Sequence, residues 1–126
     1  MAEFDAERVS RTISGALAGP GGIALVINVF AGVPGVTHID ARRGVFTSQP
    51  ARLHIGDWRY EVTRDGRLMA AHVVGGIVIG EEVLLADAVG PHLARSLGQL
   101  VARHGPAIVP NIDAAVDALS AGGGLG

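Results

Sequence analysis

At 126 residues, 48% of them apolar, the chain is the size of one domain and can bury a single core. A formal net charge of -2 gives no whole-molecule attraction to nucleic acid or an acidic membrane. The lack of cysteine removes disulfides, thiolate nucleophiles and thiolate metal sites together.

One Trp, one Tyr and three Phe leave the core to Ala, Val, Ile and Leu. All ten basic residues are arginine, a bias that a GC-rich genome produces. The first turns carry Glu3, Asp5, Glu7 and Arg8 instead of a basic start and an apolar run, so no signal peptide is expected. The longest apolar run, Ile23 to Val33, is about half a spanning helix and contains Asn28, which reads as a buried core helix. A soluble, cytoplasmic protein with no membrane or nucleic-acid partner is expected.

Taken in order, Glu3 to about Ala18 forms an amphipathic pattern in which Val9, Ile13, Ala16 and Leu17 share a face. Gly19-Pro20 ends it. In Gly21 to Ala31, Ile23, Val26, Ile27 and Phe30 keep helical spacing, though the β-branched content also suits a buried strand. The stop signal Gly32-Val33-Pro34-Gly35 favours helix. Val36 to Thr47 reads as a small hairpin or one irregular edge strand, bent at Arg42-Arg43-Gly44.

Ala51 to Gly80 is the organising stretch. Its alternating apolar residues are broken by Gly56-Asp57, Asp65-Gly66 and Gly75-Gly76, each suited to a two-residue hairpin turn. The result is a four-stranded antiparallel meander. Tight turns would pair Ile55 with Trp58, Val62 with Met69, Arg59 with His72 and Val73 with Val78. One face then carries Leu53, Ile55, Trp58, Tyr60, Val62, Met69, Val73 and Val78 and is expected to be the core. The other carries Arg52, His54, Arg59, Glu61 and His72, with Leu68, Val74, Ile77 and Ile79 as its apolar half.

After Ile79 the period turns helical, and Glu81-Glu82 is expected to open a helix with Val83, Leu84 and Leu85 on its apolar side. Gly90-Pro91 predicts a kink or a fresh helical start. Leu93, Leu97, Leu100, Val101 and His104 follow on one face, ended by Gly105-Pro106. A last helix from Pro110 to about Ser120 buries Ile112, Val116 and Leu119. The fold class is therefore α+β: an antiparallel β-meander of four or more strands packed against N-terminal and C-terminal helices. Residues 1–121 form a single domain and 122–126 a flexible Gly-rich tail.

Four segments are distinctive: Gly-Pro-Gly-Gly-Ile-Ala-Leu-Val, the Ala-Arg-Arg-Gly bend, Ile-Gly-Asp-Trp-Arg-Tyr-Glu-Val and Ala-Val-Gly-Pro-His-Leu-Ala-Arg. Together they resemble an uncharacterised family of small actinobacterial, chiefly mycobacterial, proteins over nearly the whole chain. The resemblance implies no activity and no site residues.

The most specific constellation is the row His54, Arg59 and His72 on adjacent strands. Arginine offers a bidentate fork and histidine a donor near neutral pH, so the row suits a carboxylate or phosphate. A plain solvated face, with Arg59 paired to Glu61 or Asp57, is the ordinary alternative. Strands about 4.8 Å apart set the two histidines too far apart to share a metal. His38 and Asp40 share a face but have no nucleophile beside them. Adjacent Glu81 and Glu82 diverge, while His92 and His104 read as surface or capping residues. Gly19-Pro20-Gly21-Gly22 lacks the Gly-Lys-Ser/Thr ending of a phosphate loop. Six arginines between Arg42 and Arg67 lack exposed stacking aromatics, so RNA is not expected. No catalytic residue, metal or cofactor is assigned.

The expected function is a non-enzymatic binding or assembly module. It would self-associate as a twofold dimer through Leu68, Val74, Ile77 and Ile79 and present a sheet face or helix groove to a protein partner. The alternative is a small-ligand or carrier domain that holds an apolar molecule with an anionic head group.

Overall fold

A computed structural model describes residues 4–19, 22–39, 42–43, 48–49, 52–63 and 65–124. Helix α1 (Ala6–Ala18) starts where the Asp5 carboxylate accepts the Arg8 backbone N–H at 3.0 Å, an N-cap that satisfies one orphan donor of the first turn. It buries Val9, Ile13 and Ala16, the stripe read from the sequence. Helix α2 (Gly22–Phe30) resolves the helix-or-strand ambiguity in favour of helix and buries Val26, Ile27 and Phe30. Pro20 and Gly21 of the glycine-rich turn lie outside the described residues.

Strand β1 (Val36–Ile39) is an edge strand. Strands β2 (Arg42–Arg43) and β3 (Ser48–Gln49) form a separate antiparallel pair, so Arg42 and Arg43 lie in a strand where the sequence predicts a bend, and Gly44 to Thr47 lie outside the described residues. Next come β4 (Arg52–Ile55), β5 (Trp58–Val62), β6 (Leu68–Val74) and β7 (Ile77–Leu84), giving an antiparallel sheet in the order β1-β4-β5-β6-β7. Helix α3 (Ala86–His104), a short 3-10 turn (Pro106–Ile108) and α4 (Val109–Gly124) complete the chain. The α+β class holds: the meander packs against helices from both ends of the sequence. The described end of α4 lies beyond Ser120, and Leu125 and Gly126 lie outside the described residues.

Two of the three turns have the expected form. Ile55 pairs with Trp58 across Gly56, whose φ of +59° suits the first central position of a type II′ turn. Gly75 and Gly76 both have positive φ, as type I′ requires, and Val73 pairs with Val78. The middle turn differs. The Thr63 N–H donates to the Arg67 carbonyl at 2.8 Å, and the Gly66 N–H donates to the Thr63 carbonyl at 3.0 Å. The Arg67 N–H in turn reaches Thr63 Oγ1 at 3.0 Å. The loop inside this pair therefore has an odd number of residues, and only Gly66, not Asp65, has positive φ.

That one residue changes the sheet. Val62 faces Leu68, Tyr60 faces Ala70, Arg59 faces Ala71 and Trp58 faces His72. A slip of one reverses every side chain of the following strand. Leu68 and Ala70 turn into the core, while Met69 and Val73 share the other face with Arg59 and Glu61. A bulge then sets His72 against Gly80 and leaves Ile79 as the extra residue.

The strand also outlasts its expected end. Glu81 and Glu82 pair with Ala71 and Ala70, so they belong to β7 and do not open a helix. A continuous hydrogen-bonded ladder to β6 outweighs the local helical period there. Helix begins only at Ala86 and runs through Pro91 as a single element.

The core is one cluster in which Leu53, Ile55, Tyr60, Leu68 and Leu84 of the sheet meet Leu93, Leu97 and Leu100 of α3. Helix α1 packs on α3, and α4 on α1 and α2. Ile112, Val116 and Leu119 of α4 are buried as expected. Among the described residues, no helix is long and apolar enough to cross a membrane.

Candidate functional site

Alternation along β5 sends Trp58, Tyr60 and Val62 towards α3. A buried tyrosine needs a partner for its hydroxyl, and α3 supplies two, one helical turn apart. The Tyr60 hydroxyl lies 2.7 Å from His92 Nδ1 and is also hydrogen-bonded to Ser96 Oγ. Tyr60 and Ser96 are buried, while His92 is half-buried. Trp58 closes the cluster: the His72 ring stacks on it at 4.6 Å and 13°, and His92 meets it edge-on at 4.4 Å and 88°. Such contacts between aromatic rings are worth about 0.5–1.5 kcal/mol each beyond the area they bury.

Burial pushes the Tyr60 phenol well above its usual range, against the smaller opposing pull of the Ser96 hydrogen bond. Burial also lowers the pKa of His92, and the nearby Glu82 carboxylate only partly offsets it. His92 is therefore a neutral ring held in place by Tyr60, with Glu82 beside it.

This cluster borders two hollows. One, of about 550 Å³, runs between the end of β7 and α3, with Glu82, Leu84 and Leu85 on the strand side and Asp87, Ala88, Pro91, His92 and Arg95 on the helix side. The second, of about 310 Å³, is lined by Trp58, His72, Ile79 and Glu82. Its lining places Ile79 on the helix side of the bulge.

The row expected to bind an anion is divided between the two sheet faces. His54 and Arg59 are opposite one another, but Arg59 faces Ala71, and His72 lies on the helix side against Trp58. Burial lowers the His54 pKa, helped by Arg59 and Arg52. Arg59 Nε is buried without a hydrogen-bond partner among the described residues. Glu61 pairs with Arg52 at 2.8 Å and Asp57 with Arg103 at 2.7 Å, so neither is taken up by Arg59. Of the four residues expected at an interface, Leu68 is buried in the core, whereas Val74, Ile77 and Ile79 are exposed at 48%, 66% and 61%. Asp40, half of the His38–Asp40 pair, lies outside the described residues. Among the described residues no three or more acidic or imidazole side chains converge on a metal position.

His92 is the residue that sequence reasoning misplaced. Its signal was the spacing of His92 and Ser96, one turn apart beside the Leu93–Leu97–Leu100 stripe, where a polar pair needs a buried counterpart.

A family described as a domain of unknown function, DUF5073, matches residues 1–121. The chain belongs to that family. No curated protein and no solved structure matches it. The DUF5073 match spans nearly the whole chain, as the resemblance to an uncharacterised family implied.

With burial holding the His92 pKa below its ordinary value, acid is expected to destabilise this DUF5073 protein. A histidine whose pKa is lower in the fold than in the unfolded chain takes up protons on unfolding. Its contribution is fully present above the unfolded value of about 6.5 and is lost as pH falls below it. The melting temperature should therefore be lower at pH 5.5 than at pH 7.5. His92→Gln should reduce that difference, leaving the share of His54, whose pKa is lowered in the same direction, and Trp58 fluorescence should report the same step. Equal pH slopes in wild type and variant would sink the assignment.

Proposed function

We propose that the protein is a non-enzymatic binding or assembly module that self-associates through the β6–β7 hairpin and presents the neighbouring groove to a partner. One observation carries this reading. Ile39 apart, the exposed large apolar residues among those described all lie on this hairpin or just after it: Val74, Ile77, Val78, Ile79, Val83 and Leu85. Val78 and Val83 lie on the face of Met69 and Val73, and Ile79 on the helix side, so the hairpin is apolar on both faces. Exposed apolar surface of this kind marks an interaction site. Each such side chain fully removed from water contributes about 1.5–3 kcal/mol. A twofold dimer is the commonest symmetric assembly that buries them.

An actinobacterial, cytoplasmic setting is part of the same proposal. Arginine as the only strongly basic residue, with abundant Ala, Gly and Val, is what a GC-rich genome encodes.

Light scattering coupled to size exclusion tests the assembly. Wild type should run as a dimer, and Ile77→Arg should give a folded monomer with an unchanged circular dichroism spectrum. A wild type that is monomeric at high micromolar concentration ends the proposal.

A second reading, a carrier for an apolar molecule with an anionic head group, is favoured by a separate pocket of about 380 Å³. It is walled by Leu17, Ile23, Leu68, Leu84 and Val89, with Arg67 among its lining. Native mass spectrometry showing a bound lipid-like mass would support it.

A further inference from the structure

We infer that the groove between β7 and α3 takes an extended peptide segment of a partner protein. The segment adds as a strand to the β7 edge and carries a basic and an acidic side chain four residues apart. This deepens the reading of the chain as a binding module and assigns one of its surfaces.

Three features lead there. Strand β7 has β6 as its only neighbour among the described residues, so its outer backbone N–H and C=O groups offer a ladder to a further strand. Helix α3 stands beside that edge and makes a groove of it, the arrangement in which edge strands capture extended peptides. The helix wall is also chemically graded. Asp87 begins it, Ala88, Pro91 and His92 follow, and Arg95 ends it, with Glu82 contributed by the strand. Pro91 has no N–H and donates nothing to the carbonyl of Asp87, which remains an acceptor on the same wall.

Charge decides the occupant. At 1.5 Å per residue, Asp87 and Arg95 are about 12 Å apart along α3. Four residues of an extended strand span about 13 Å, and positions i and i+4 point the same way. A peptide antiparallel to β7 therefore sets a basic residue against Asp87 and an acidic one, four positions later, against Arg95, with His92 and the neighbouring Glu82 between the two. A second copy of this chain fits poorly along the same edge. Twofold antiparallel pairing centred on Glu81 or Glu82 places that glutamate against itself, and centring on Gly80 places both against Ile79 and Val78.

The test uses the full chain and a fluorescein-labelled peptide amide, Thr-Arg-Thr-Val-Thr-Glu-Thr, followed by anisotropy. The peptide should bind, and exchanging its Arg and Glu should weaken binding by about tenfold or more. The double variant Asp87→Arg with Arg95→Asp should reverse that preference. N-methylation of one alternate set of peptide nitrogens should abolish binding while the other set tolerates it, because one edge of an added strand faces the ladder. Val74→Arg, on β6 and so off the β7 edge, disturbs the self-association surface and should leave the peptide affinity unchanged, so the two ideas fail separately. Equal affinity for both charge orders, tolerance of both N-methylated peptides, or no binding overturns the inference. So does a change of oligomer mass in the Asp87/Arg95 variant, which would give the groove to a second copy.

Discussion

Tyr60→Ala should destabilise the protein by about 3–5 kcal/mol, the usual cost of truncating a buried core aromatic. Tyr60 is fully buried at the centre of the sheet, between Leu53 on β4 and Ala70 on β6, and its ring supports the helix above. Tyr60→Phe separates packing from hydrogen bonding. It keeps the ring and removes the hydroxyl shared by His92 and Ser96, leaving buried polar atoms without their partner. A cost of about 1–3 kcal/mol is expected from that alone. Urea denaturation of both variants is the measurement. An unchanged midpoint for Tyr60→Phe would mean that the Ser96–Tyr60–His92 network adds nothing to stability.

Gly90→Ala should also be destabilising, against the normal trend. An exposed helical glycine gains up to about 1 kcal/mol on replacement by alanine. Here a Cβ would lie 2.5 Å from the Ser10 backbone carbonyl and 2.8 Å from Ser14 Oγ, so α1 would have to move off α3. Backbone cannot yield as a side chain can, and overpacking of this kind costs about 1–3 kcal/mol. Gly98→Ala on the same helix is the control. Its Cβ meets only the edge of the Phe4 ring at 3.2 Å, and a ring at the chain end can shift. A thermal melt in which Gly90→Ala equals or exceeds wild type would refute the close α1–α3 contact.

Both predictions concern contacts that the linear pattern could not supply. Gly90-Pro91 predicts a kink or a fresh helical start, yet α3 runs through it as one element. The glycine is there because a neighbouring backbone passes too close for any side chain. Likewise, a histidine on a late helix reads as a surface or capping residue, and only the approach of Tyr60 from β5 gives the half-buried His92 a buried hydrogen-bond partner.

Local chemistry settled much of the rest. The Asp5 cap and the Val9–Ile13–Ala16 stripe define α1 without reference to any other element. Gly56-Asp57 and Gly75-Gly76 are two-residue turns whose backbone demands glycine, and they pin their hairpins wherever the strands go. The apolar pattern of β4 and β5 assigns the core face of Leu53, Ile55 and Tyr60 unaided.

Strand β6 is where that information ends. Leu68-Met69-Ala70-Ala71 and Val73-Val74 are apolar at both parities, so hydrophobic alternation does not say which set turns inward. Asp65-Gly66 predicts a two-residue turn, which would turn Met69 and Val73 inward. The Thr63–Arg67 closure adds one residue to the loop and gives the opposite answer. From that slip follow the burial of Leu68, the separation of His72 from His54 and Arg59, and its stacking on Trp58. Local chemistry is enough for α1, α4, two turns and the inward face of the early strands, because caps, glycine φ and alternation act over a few residues. The tertiary structure alone decided the register of β6, the length of β7 and the composition of the site. Those depend on which distant surfaces pack together, and a strand apolar on both sides carries no local preference between them.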